Sequence, residues 1–303
     1  MIVEFGQIEA FVQVVRHGSF TKAAETLNLT QPTISARIAV LEAQLGCQLF
    51  VRGGRRLSLT PAGEAFRPYA ERTMLALQEG EQAVKDYQTG RRGYVSIVTL
   101  DTLAMSFLPK PVQRFRTAYP AVDLTVHLNM PREILQMIYD GETQLGLIRG
   151  PLWDRGIEVV ARFQEPVQVI ANASHPLAQE KSVSLADVLD YPIYRLPLDA
   201  ASVAFVEHLV AQARSQSDQS RVWLPVIMVI PMLLKGQGVA FLPGSFVEEY
   251  LLSGELVALD VTDLPFLKHE PLLVKLNGYK LDAHHQELVR MIRAQWRKLA
   301  VTR

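Results

Sequence analysis

The sequence predicts an α/β protein in which a small helical unit with a β-hairpin precedes a long helix and a larger unit of alternating strands and helices. Three patterns support this prediction. Apolar residues up to position 46 have helical spacing interrupted by glycine, residues 61–88 continue one helical pattern, and strands alternate with helices beyond Gly93. The 303 residues allow two domains, and a hydrophobic fraction of 49% is enough for a core in each.

Three helices are predicted in the N-terminal unit. The first has apolar residues at helical spacing over 5–15 and ends at Gly18. The second is capped by Ser19 or Thr21 and extends to residue 27. The third is capped by Thr30 and stopped by Gly46. Its inward apolar stripe consists of Ile34, Ile38 and Leu41.

A short β-hairpin follows the third helix. Apolar segments 48–51 and 57–59 flank Gly53-Gly54, which is the pattern of two strands joined by a tight turn. The whole chain is neutral, with 31 basic and 31 acidic residues, but residues 50–60 contain three arginines and no acid. This local charge favours contact with phosphates or with the minor groove of DNA. The arginines concerned are Arg52, Arg55 and Arg56.

The second and third helices, joined by a tight turn, have the pattern of a helix-turn-helix that places its second helix in the DNA major groove. Because Ile34 and Ile38 face inward, the short polar residues beside them are expected to be exposed. Glutamine pairs with adenine and arginine with guanine through two hydrogen bonds, each pair worth roughly 1–3 kcal/mol of base discrimination. The residues assigned to DNA contact on these helices are Thr21, Gln31, Thr33, Ser35 and Arg37. The alternative is the ordinary surface of a small helical domain.

The long helix, which Thr60 caps, carries a heptad seam in which the steps alternate between four and three residues. We interpret the seam as a dimerisation surface, because the DNA-binding unit that precedes it would benefit from being paired. The alternative is an amphipathic helix packed on its own domain. The residues assigned to dimerisation are Phe66, Ala70, Leu77 and Val84, with Thr73 and Gly80 as the weak positions between them.

The N-terminal module resembles the signature of the LysR-type transcriptional regulators over its whole length and with its spacing intact. The residues that carry the resemblance are Ala23-Ala24, Leu27-Asn28-Leu29-Thr30-Gln31-Pro32-Thr33-Ile34-Ser35, Leu41-Glu42, Leu45-Gly46, Leu49-Phe50, Arg52 and Leu59-Thr60-Pro61-Ala62-Gly63. The resemblance implies a winged helix-turn-helix, a linker helix that dimerises and an effector domain of two subdomains like type II periplasmic binding proteins.

The resemblance also implies tetramers, small and often anionic effectors, and DNA contacts at particular positions. These positions are Gln31, Pro32, Thr33, Ser35 and Arg37 on the helix, and Arg52 with Arg55 or Arg56 in the wing. Ala36 departs from the pattern, because many members of the family carry arginine there. The departure indicates a different base preference.

Beyond Gly93 the pattern is that of an α/β unit with a mostly parallel sheet. Strands are expected at 94–100, 124–128, 145–148, 167–171, 193–196, 222–226, 239–242 and 271–276, with helices at 108–118, 132–140, 185–189, 200–214, 231–235 and 282–299. A weaker resemblance to the family continues at Phe107-Leu108-Pro109 and in the segment 236–243.

The expected organisation has three parts. Residues 1–60 form the DNA-binding domain, 61–90 form the linker helix, and 91–303 form the effector domain. Within the effector domain, subdomain I comprises 94–163 and 268–303, and subdomain II comprises 164–267.

Ligands of a two-subdomain α/β fold bind in the cleft at the strand ends. The residues expected there are Thr99, Asp101, Thr102, Asn129, Met130, Arg149, Arg195 and Met228. Threonine hydroxyls, the N-terminus of the helix after Thr102 and two arginines favour a carboxylate or another anion. Asp101 opposes this interpretation, because it repels an acid or pairs with an arginine. The alternative for each residue is a solvated loop position or an internal ion pair.

The composition argues against several other classes of protein. The sequence contains no run of 18 apolar residues, which a membrane-spanning helix would need. The first ten residues include Glu4 and Glu9 and do not have the pattern of a signal peptide. Cys47 is the single cysteine, so it cannot form an internal disulfide. We therefore expect a cytoplasmic protein with no membrane contact.

The sequence lacks a metal-ligand cluster and a catalytic constellation, so neither a cofactor nor enzymatic activity is expected. The expected partners are double-stranded DNA, a small-molecule effector, further copies of the chain in a dimer and tetramer, and RNA polymerase if the protein is an activator. The alternative is an enzyme or solute-binding module whose N-terminal helices only mediate assembly.

Overall fold

The computed structural model describes residues 3–51, 57–89, 93–213 and 222–301. Its N-terminal unit contains α1 (Phe5–His17), α2 (Phe20–Thr26) and α3 (Gln31–Leu45). Gly18 and Gly46 end α1 and α3 with φ of 59° and 70°, a backbone conformation that glycine adopts without steric cost. Hydroxyl caps begin the next two helices: Ser19 accepts from the backbone N–H of Lys22, and Thr30 accepts from that of Thr33.

The strands after α3 pair at the base of the predicted hairpin. Phe50 and Leu59 form an antiparallel bridge, and the Val51 N–H donates to the Ser58 carbonyl over 2.9 Å. The tip of the hairpin, with Arg52, Arg55 and Arg56, lies outside the described residues. Aromatic packing closes the unit, since the Phe11 ring lies 5.4 Å from the Phe50 ring.

Helix α4 (Pro61–Thr89) joins this unit to the remainder of the chain and corrects the predicted seam. Phe66 lies 5.2 Å from the Phe11 ring, and Ala70 is 1% exposed in the same core, so both pack on their own domain. Leu77 and Val84 stay on the surface, with exposed fractions of 46% and 56%. Only the second half of the seam is exposed, because the first turns of α4 pack against α1.

The first sheet of the C-terminal unit has the strand order β2-β1-β3-β11-β4. Its strands are β1 (Tyr94–Thr99), β2 (Asp123–Leu128), β3 (Leu145–Arg149), β4 (Ile157–Arg162) and β11 (Pro271–Leu276). The helices around it are α5 (Asp101–Phe107), α6 (Pro109–Ala118), α7 (Pro131–Tyr139) and α12 (Ala283–Val301). Strand β1 is parallel to β2 and β3, whereas β11 runs antiparallel to β3 and β4.

The second sheet has the order β10-β5-β8-β6-β7, with β9 also paired to β5. Its strands are β5 (Glu165–Asn172), β6 (Ile193–Arg195), β7 (Val222–Trp223), β8 (Val239–Pro243), β9 (Leu256–Ala258) and β10 (Lys268–His269). Its helices are α8 (Leu185–Val188), α9 (Ala200–Ala213), α10 (Val226–Leu234) and α11 (Glu248–Ser253), with 3-10 turns at Pro176–Gln179 and Gly244–Phe246.

The chain crosses between the two sheets twice. It leaves β4 for β5 through residues 163–164, and it returns from β10 to β11 through Glu270. Each sheet has its own buried cluster of apolar side chains, so the two crossings join two separately packed subdomains. The predicted fold class is confirmed: an N-terminal helix-turn-helix precedes a C-terminal α/β unit with two sheets.

The structure differs from the expected elements in several respects, and β4, β9, β10, α5 and α11 have no counterpart among them. Both sheets are mixed rather than mostly parallel, because the crossings bring β11 and β5 back antiparallel to their neighbours. Helix α10 begins at Val226, five residues before its predicted start at Pro231, and the strand expected at 222–226 is limited to Val222–Trp223. An unbroken apolar run suits a buried strand or a buried helix equally, so periodicity does not separate the two. Within the described residues, every helix is too short or too polar to cross a membrane.

Gly63 occupies a position in α4 that has no room for a side chain. A Cβ there would lie 2.2 Å from the Leu49 carbonyl oxygen, which is backbone and cannot move aside easily. We expect Gly63→Ala to lower the free energy of unfolding by about 1–3 kcal/mol. Gly80→Ala is the matched control, since a Cβ at Gly80 has no described atom within 4 Å, and it should raise stability by up to about 1 kcal/mol. Urea denaturation followed by circular dichroism measures both, and equal stabilities would contradict this packing.

Candidate nucleic-acid interface and ligand cleft

The outer face of α3 is formed by its first turn and by the positions that continue it along the helix. Gln31, Pro32 and Ser35 are exposed, while Thr33 is half-buried and its hydroxyl lies 2.8 Å from that of Thr30. Thr21 is exposed at the start of α2. The buried stripe lies where the spacing predicts it and consists of Ile34, Ile38 and Leu41.

Arg37 has a different environment from the one expected of a base-reading arginine. One guanidinium N–H donates to the Gly6 carbonyl over 3.2 Å, and the same nitrogen lies 3.7 Å from a Glu9 carboxylate oxygen. The side chain is 33% exposed and lies against α1. Arg37 therefore braces α3 on α1 in this structure, which corrects the expectation that it lies on the outer side. The reason is that position 37 is on the flank of the helix, beside the buried stripe.

Glu42 positions the hairpin and has no counterpart among the predicted site residues. Its side chain is 4% exposed, and one carboxylate oxygen accepts from the N–H groups of Leu49 and Phe50 at 2.7 and 3.2 Å. An acid in the last turns of a helix otherwise resembles a surface residue, so the sequence places Glu42 in the family signature without giving it a role. Through these bonds α3 and the hairpin are held as one unit.

Thr99, the first threonine predicted for the cleft, makes its hydrogen bond within the first sheet. Thr99 is completely buried, and its hydroxyl donates to the Leu147 carbonyl over 2.9 Å. Thr102 is 1% exposed, and its hydroxyl has no partner among the residues that the structure describes. The backbone N–H of Thr102 donates to the Asp101 carboxylate over 2.7 Å. Thr102 is therefore the hydroxyl with hydrogen-bonding capacity to spare at this end of the sheet.

Arg149 connects the two subdomains. It lies at the end of β3, and one guanidinium nitrogen donates to the carbonyls of Pro197 and Leu198 at 2.5 and 2.6 Å. Burial lowers the pKa of Arg149, and the carboxylates of Asp101 and Asp199 oppose this shift. The cleft thus combines one half-buried cation with two nearby acids, and its electrostatic character is mixed.

Asn129 and Met130 follow β2 and begin α7. The Asn129 N–H donates to the Thr99 carbonyl over 3.0 Å, which places both residues at the carboxyl end of the first sheet. Met130 is largely exposed there. Met228 lies in the first turn of α10, next to the edge strand β7, and is about half exposed.

Arg195 has protein partners within the second subdomain. It donates to the Glu207 carboxylate over 2.6 Å and stacks on Trp223, with 5.1 Å between its Cζ and the ring centre. Because one of its guanidinium nitrogens is bonded to Glu207, binding of an effector carboxylate there would compete with this ion pair. The sequence placed Arg195 correctly at a strand end, but the direction of its side chain depends on α9 and β7.

A second set of buried titratable residues lies where the chain crosses between subdomains. Glu165, at the start of β5, accepts hydrogen bonds from the N–H and the hydroxyl of Ser245 at 3.1 and 2.5 Å. Burial raises the pKa of Glu165 to about 7 despite these bonds. His269 pairs with Glu165 across the β5–β10 ladder and lies 3.9 Å from Asp199. None of these residues stood out in the sequence, because only the two crossings bring them together.

Polar contacts join α1 and α4 to subdomain I. Arg16, in the last turn of α1, contacts the Asp140 carboxylate and donates to the Tyr139 carbonyl. On α4, Arg67 pairs with Glu71 at 2.8 Å and lies over the Tyr139 ring at 5.2 Å. Burial lowers the pKa of Arg16 to about 10 and raises that of Glu71. The helical unit and the α/β unit therefore meet through a buried group of charged residues.

The described residues contain no group of three or more histidine, cysteine, aspartate or glutamate side chains placed to hold a metal ion. Cys47 is a free, exposed thiol.

Two family models match the chain. "Bacterial regulatory helix-turn-helix protein, lysR family" matches residues 5–64, and "LysR substrate binding domain" matches residues 88–297. Together they account for most of the 303 residues and leave residues 65–87, most of α4, between them. The helical unit thus corresponds to the first of these models, and the α/β unit corresponds to the second.

Individual relatives agree with this match. The HTH-type transcriptional activator CmpR of Synechocystis is 27% identical over 263 residues, which cover 87% of this chain and 86% of CmpR. A full-length BenM variant has a TM-score of 0.51 and 26% identity, covering 99% of this chain and 98% of that chain. A full-length OxyR variant from Pseudomonas aeruginosa shares the fold, with a TM-score of 0.56 at 18% identity over 98% of this chain and 95% of that chain.

The raised pKa of Glu165 makes a prediction about stability and pH. In the native state the pKa rises from 4.5 to about 7, so folding favours the protonated carboxyl. The free energy of unfolding then falls as the pH rises from 4.5 to 7, by about 3 kcal/mol in total, and is constant above that range. Glu165→Gln keeps the side chain neutral and should lack this loss.

Urea denaturation at pH 5 and pH 8 tests the prediction. The stability of Glu165→Gln relative to the wild type should be higher at pH 8 than at pH 5. Glu180→Gln, at an exposed position, should show no such change. A difference between wild type and Glu165→Gln that is independent of pH would contradict the raised pKa.

Proposed function

Because this chain belongs to the LysR-type family of DNA-binding transcriptional regulators, which are not enzymes, we propose that a small molecule bound between its two subdomains changes how the helix-turn-helix binds operator DNA. One observation carries the proposal. Met130 caps the start of helix α7 at the cleft, and Asp140, which caps its end, contacts Arg16 of α1. A single rigid element thus connects the place where an effector would bind to the helix that precedes the DNA-reading pair.

The effector site that we propose is at the carboxyl end of β1, β2 and β3. Thr102 supplies a hydroxyl without a protein partner within the described residues, and Asn129 and Met130 supply a polar and an apolar contact. Arg149 supplies the positive charge. We retain an anionic effector as a proposal that rests on Arg149, since Arg195 is paired with Glu207. Asp101 and Asp199 oppose large negative charge, so one carboxylate fits better than two.

Binding at this site would act on the bonds that hold the cleft in its present form. Arg149 donates to two carbonyls of subdomain II, and Lys110 pairs with Glu248 at 2.7 Å across the same gap. An effector that draws Arg149 away from Pro197 exchanges one set of hydrogen bonds for another. It therefore shifts the equilibrium between subdomain positions only by the difference in free energy between the two sets of hydrogen bonds.

Helix α7 would carry such a shift to the DNA-binding unit. Its nine residues span about 14 Å, and its buried side chains Ile134 and Ile138 lock it to the first sheet. Arg16 directly precedes His17 and Gly18, after which α2 begins. Movement of Asp140 therefore acts on the end of α1 from which the helix-turn-helix continues.

We also propose that the exposed side of α4 pairs with a second copy of the chain. Leu77 and Val84 remain from the predicted seam, and Tyr69, which is 62% exposed, replaces Phe66 at its start. Pairing would place two recognition helices on one duplex, as a two-fold operator requires. A tetramer, contact with RNA polymerase if the protein is an activator, and a cytoplasmic location stay predictions.

The effector site is tested by a thermal-shift screen of small monocarboxylates, each compared with its neutral amide. A ligand at about 100 times its dissociation constant adds roughly 2.7 kcal/mol to stability. We expect a matching acid to stabilise the wild type and its amide to have a much smaller effect. Arg149→Gln should abolish the difference, whereas the exposed Arg290→Gln should preserve it. A screen in which only amines stabilise the protein would overturn the anionic assignment.

The connection through α7 is tested by operator binding with and without the acid found in that screen. Arg16→Gln should keep acid binding but reduce the change in operator affinity that the acid produces, since coupling between two sites is reciprocal. Asp140→Asn should have the same effect, and the double variant should be no worse than either single variant, because both act on one contact. If both variants retain the full response, the signal takes another route.

A further inference from the structure

The outer face of the recognition helix is unusual in its chemistry. After Ser35, the exposed positions of α3 are all aliphatic. They are Ala36, Ala39, Val40 and Ala43, at spacings of three, four and seven residues from the first, and Leu45 at the end of the helix. The exposed fraction of Val40 is 46%. We call Ala36, Ala39 and Val40 the methyl face, and Gln31 and Ser35 precede it along the helix.

Both formal charges of α3 are turned away from this face. Arg37 is the only cation of the helix, and its guanidinium is bonded to the Gly6 carbonyl and lies near Glu9. Glu42 is the only acid, and it is buried against Leu49 and Phe50. The hydrogen-bonding side chains on the outer side of the first two turns are therefore those of Gln31, Thr33 and Ser35.

The chemistry of the major groove restricts what such a face can recognise. A guanine presents two acceptors and is read best by an arginine or lysine, whereas the thymine 5-methyl group is read by apolar contact. Aliphatic side chains placed on a G·C pair would leave its polar groups without partners, which is unfavourable. Against an A·T pair, the same side chains bury the thymine methyl.

We infer that α3 selects A·T base pairs by packing Ala36, Ala39 and Val40 on thymine 5-methyl groups, and that Arg37 does not read a base. The inference rests on the proposed function, since it requires operator binding through α3. Double-stranded DNA is the occupant that fits, because the face continues directly from the capped N-terminus of the second helix of a helix-turn-helix. Alanine side chains also let the backbone approach the base edges closely.

The experiment starts with selection of binding sites from random duplexes by the full-length protein at about 0.15 M salt, where specific sites persist. Each thymidine of the selected site is then replaced singly by deoxyuridine, which removes only the 5-methyl group. The methyl lies in the major groove, so contacts in the minor groove are not affected. We expect one or two positions per half-site at which the replacement weakens binding about four-fold, which corresponds to roughly 0.8 kcal/mol per buried methyl.

Two variants link the effect to the methyl face. At one of the thymine positions that are sensitive to deoxyuridine, Val40→Ser should bind the thymidine and deoxyuridine sites with nearly equal affinity. Ala36→Arg should instead select guanine at one of the sensitive positions, because the arginine can donate two hydrogen bonds to that base. Arg37→Gln is the control, since its side chain faces α1, and it should leave the selected sequence unchanged.

The possible results separate the inference from the function on which it rests. If no sequence is selected, DNA recognition by this chain fails, and the inference fails with it. If a sequence is selected but deoxyuridine binds as well as thymidine throughout, regulation of an operator stands and the methyl contact is refuted. A guanine that is lost from the selected sequence in Arg37→Gln would also refute the inference.

Discussion

Helix α4 is packed into two hydrophobic cores at once, and the relative placement of the other parts depends on this. Ala70 and Met74 are buried with α1 and α3, while the adjacent Leu75 is buried in the core of subdomain I. Helix α4 has 29 residues, and it can pack into both cores only because its apolar residues lie on two of its sides. The DNA-binding unit is therefore held to the effector unit by the packing of α4 against both cores.

The same helix buries charge between the two units. Glu71 is 2% exposed and would be strongly destabilising without its partner Arg67, because an unpaired buried charge costs about 3–5 kcal/mol. Arg67 in turn lies over Tyr139, whose hydroxyl donates to Asp154 of subdomain I. Interfaces of this kind require particular geometry, and their bonds can be exchanged for bonds to water at small net cost. They suit a regulator whose two units must hold one arrangement and be able to leave it.

The cleft between the subdomains is held by polar contacts as well. Arg149 and Lys110 each bond to a group of the other subdomain, and the apolar clusters of the two sheets stay separate. Little apolar surface has to be exposed when such a cleft opens, so opening is less costly than separating two packed cores. A ligand of modest affinity can then select between the two positions of the subdomains.

Local sequence determined the helices of the N-terminal unit, their caps, the long helix and the family signature. Each of these depends on spacing within one helix turn or on the conformation of a single glycine or hydroxyl, as at Gly18, Thr30 and Gly46. The ends of the strands near Thr102 and Arg149 could also be predicted, because the apolar strand pattern stops where each strand ends.

Only the tertiary structure decided which neighbour each side chain meets. Arg37 turns to α1, Arg195 to Glu207 and Trp223, and Phe66 to Phe11, although their spacing alone fitted base contact, ligand contact and dimerisation. Glu165 and His269 are more than 100 positions apart and meet through strand pairing. Periodicity gives the side of an element on which a residue lies, but the contact depends on distant elements that pack against that side.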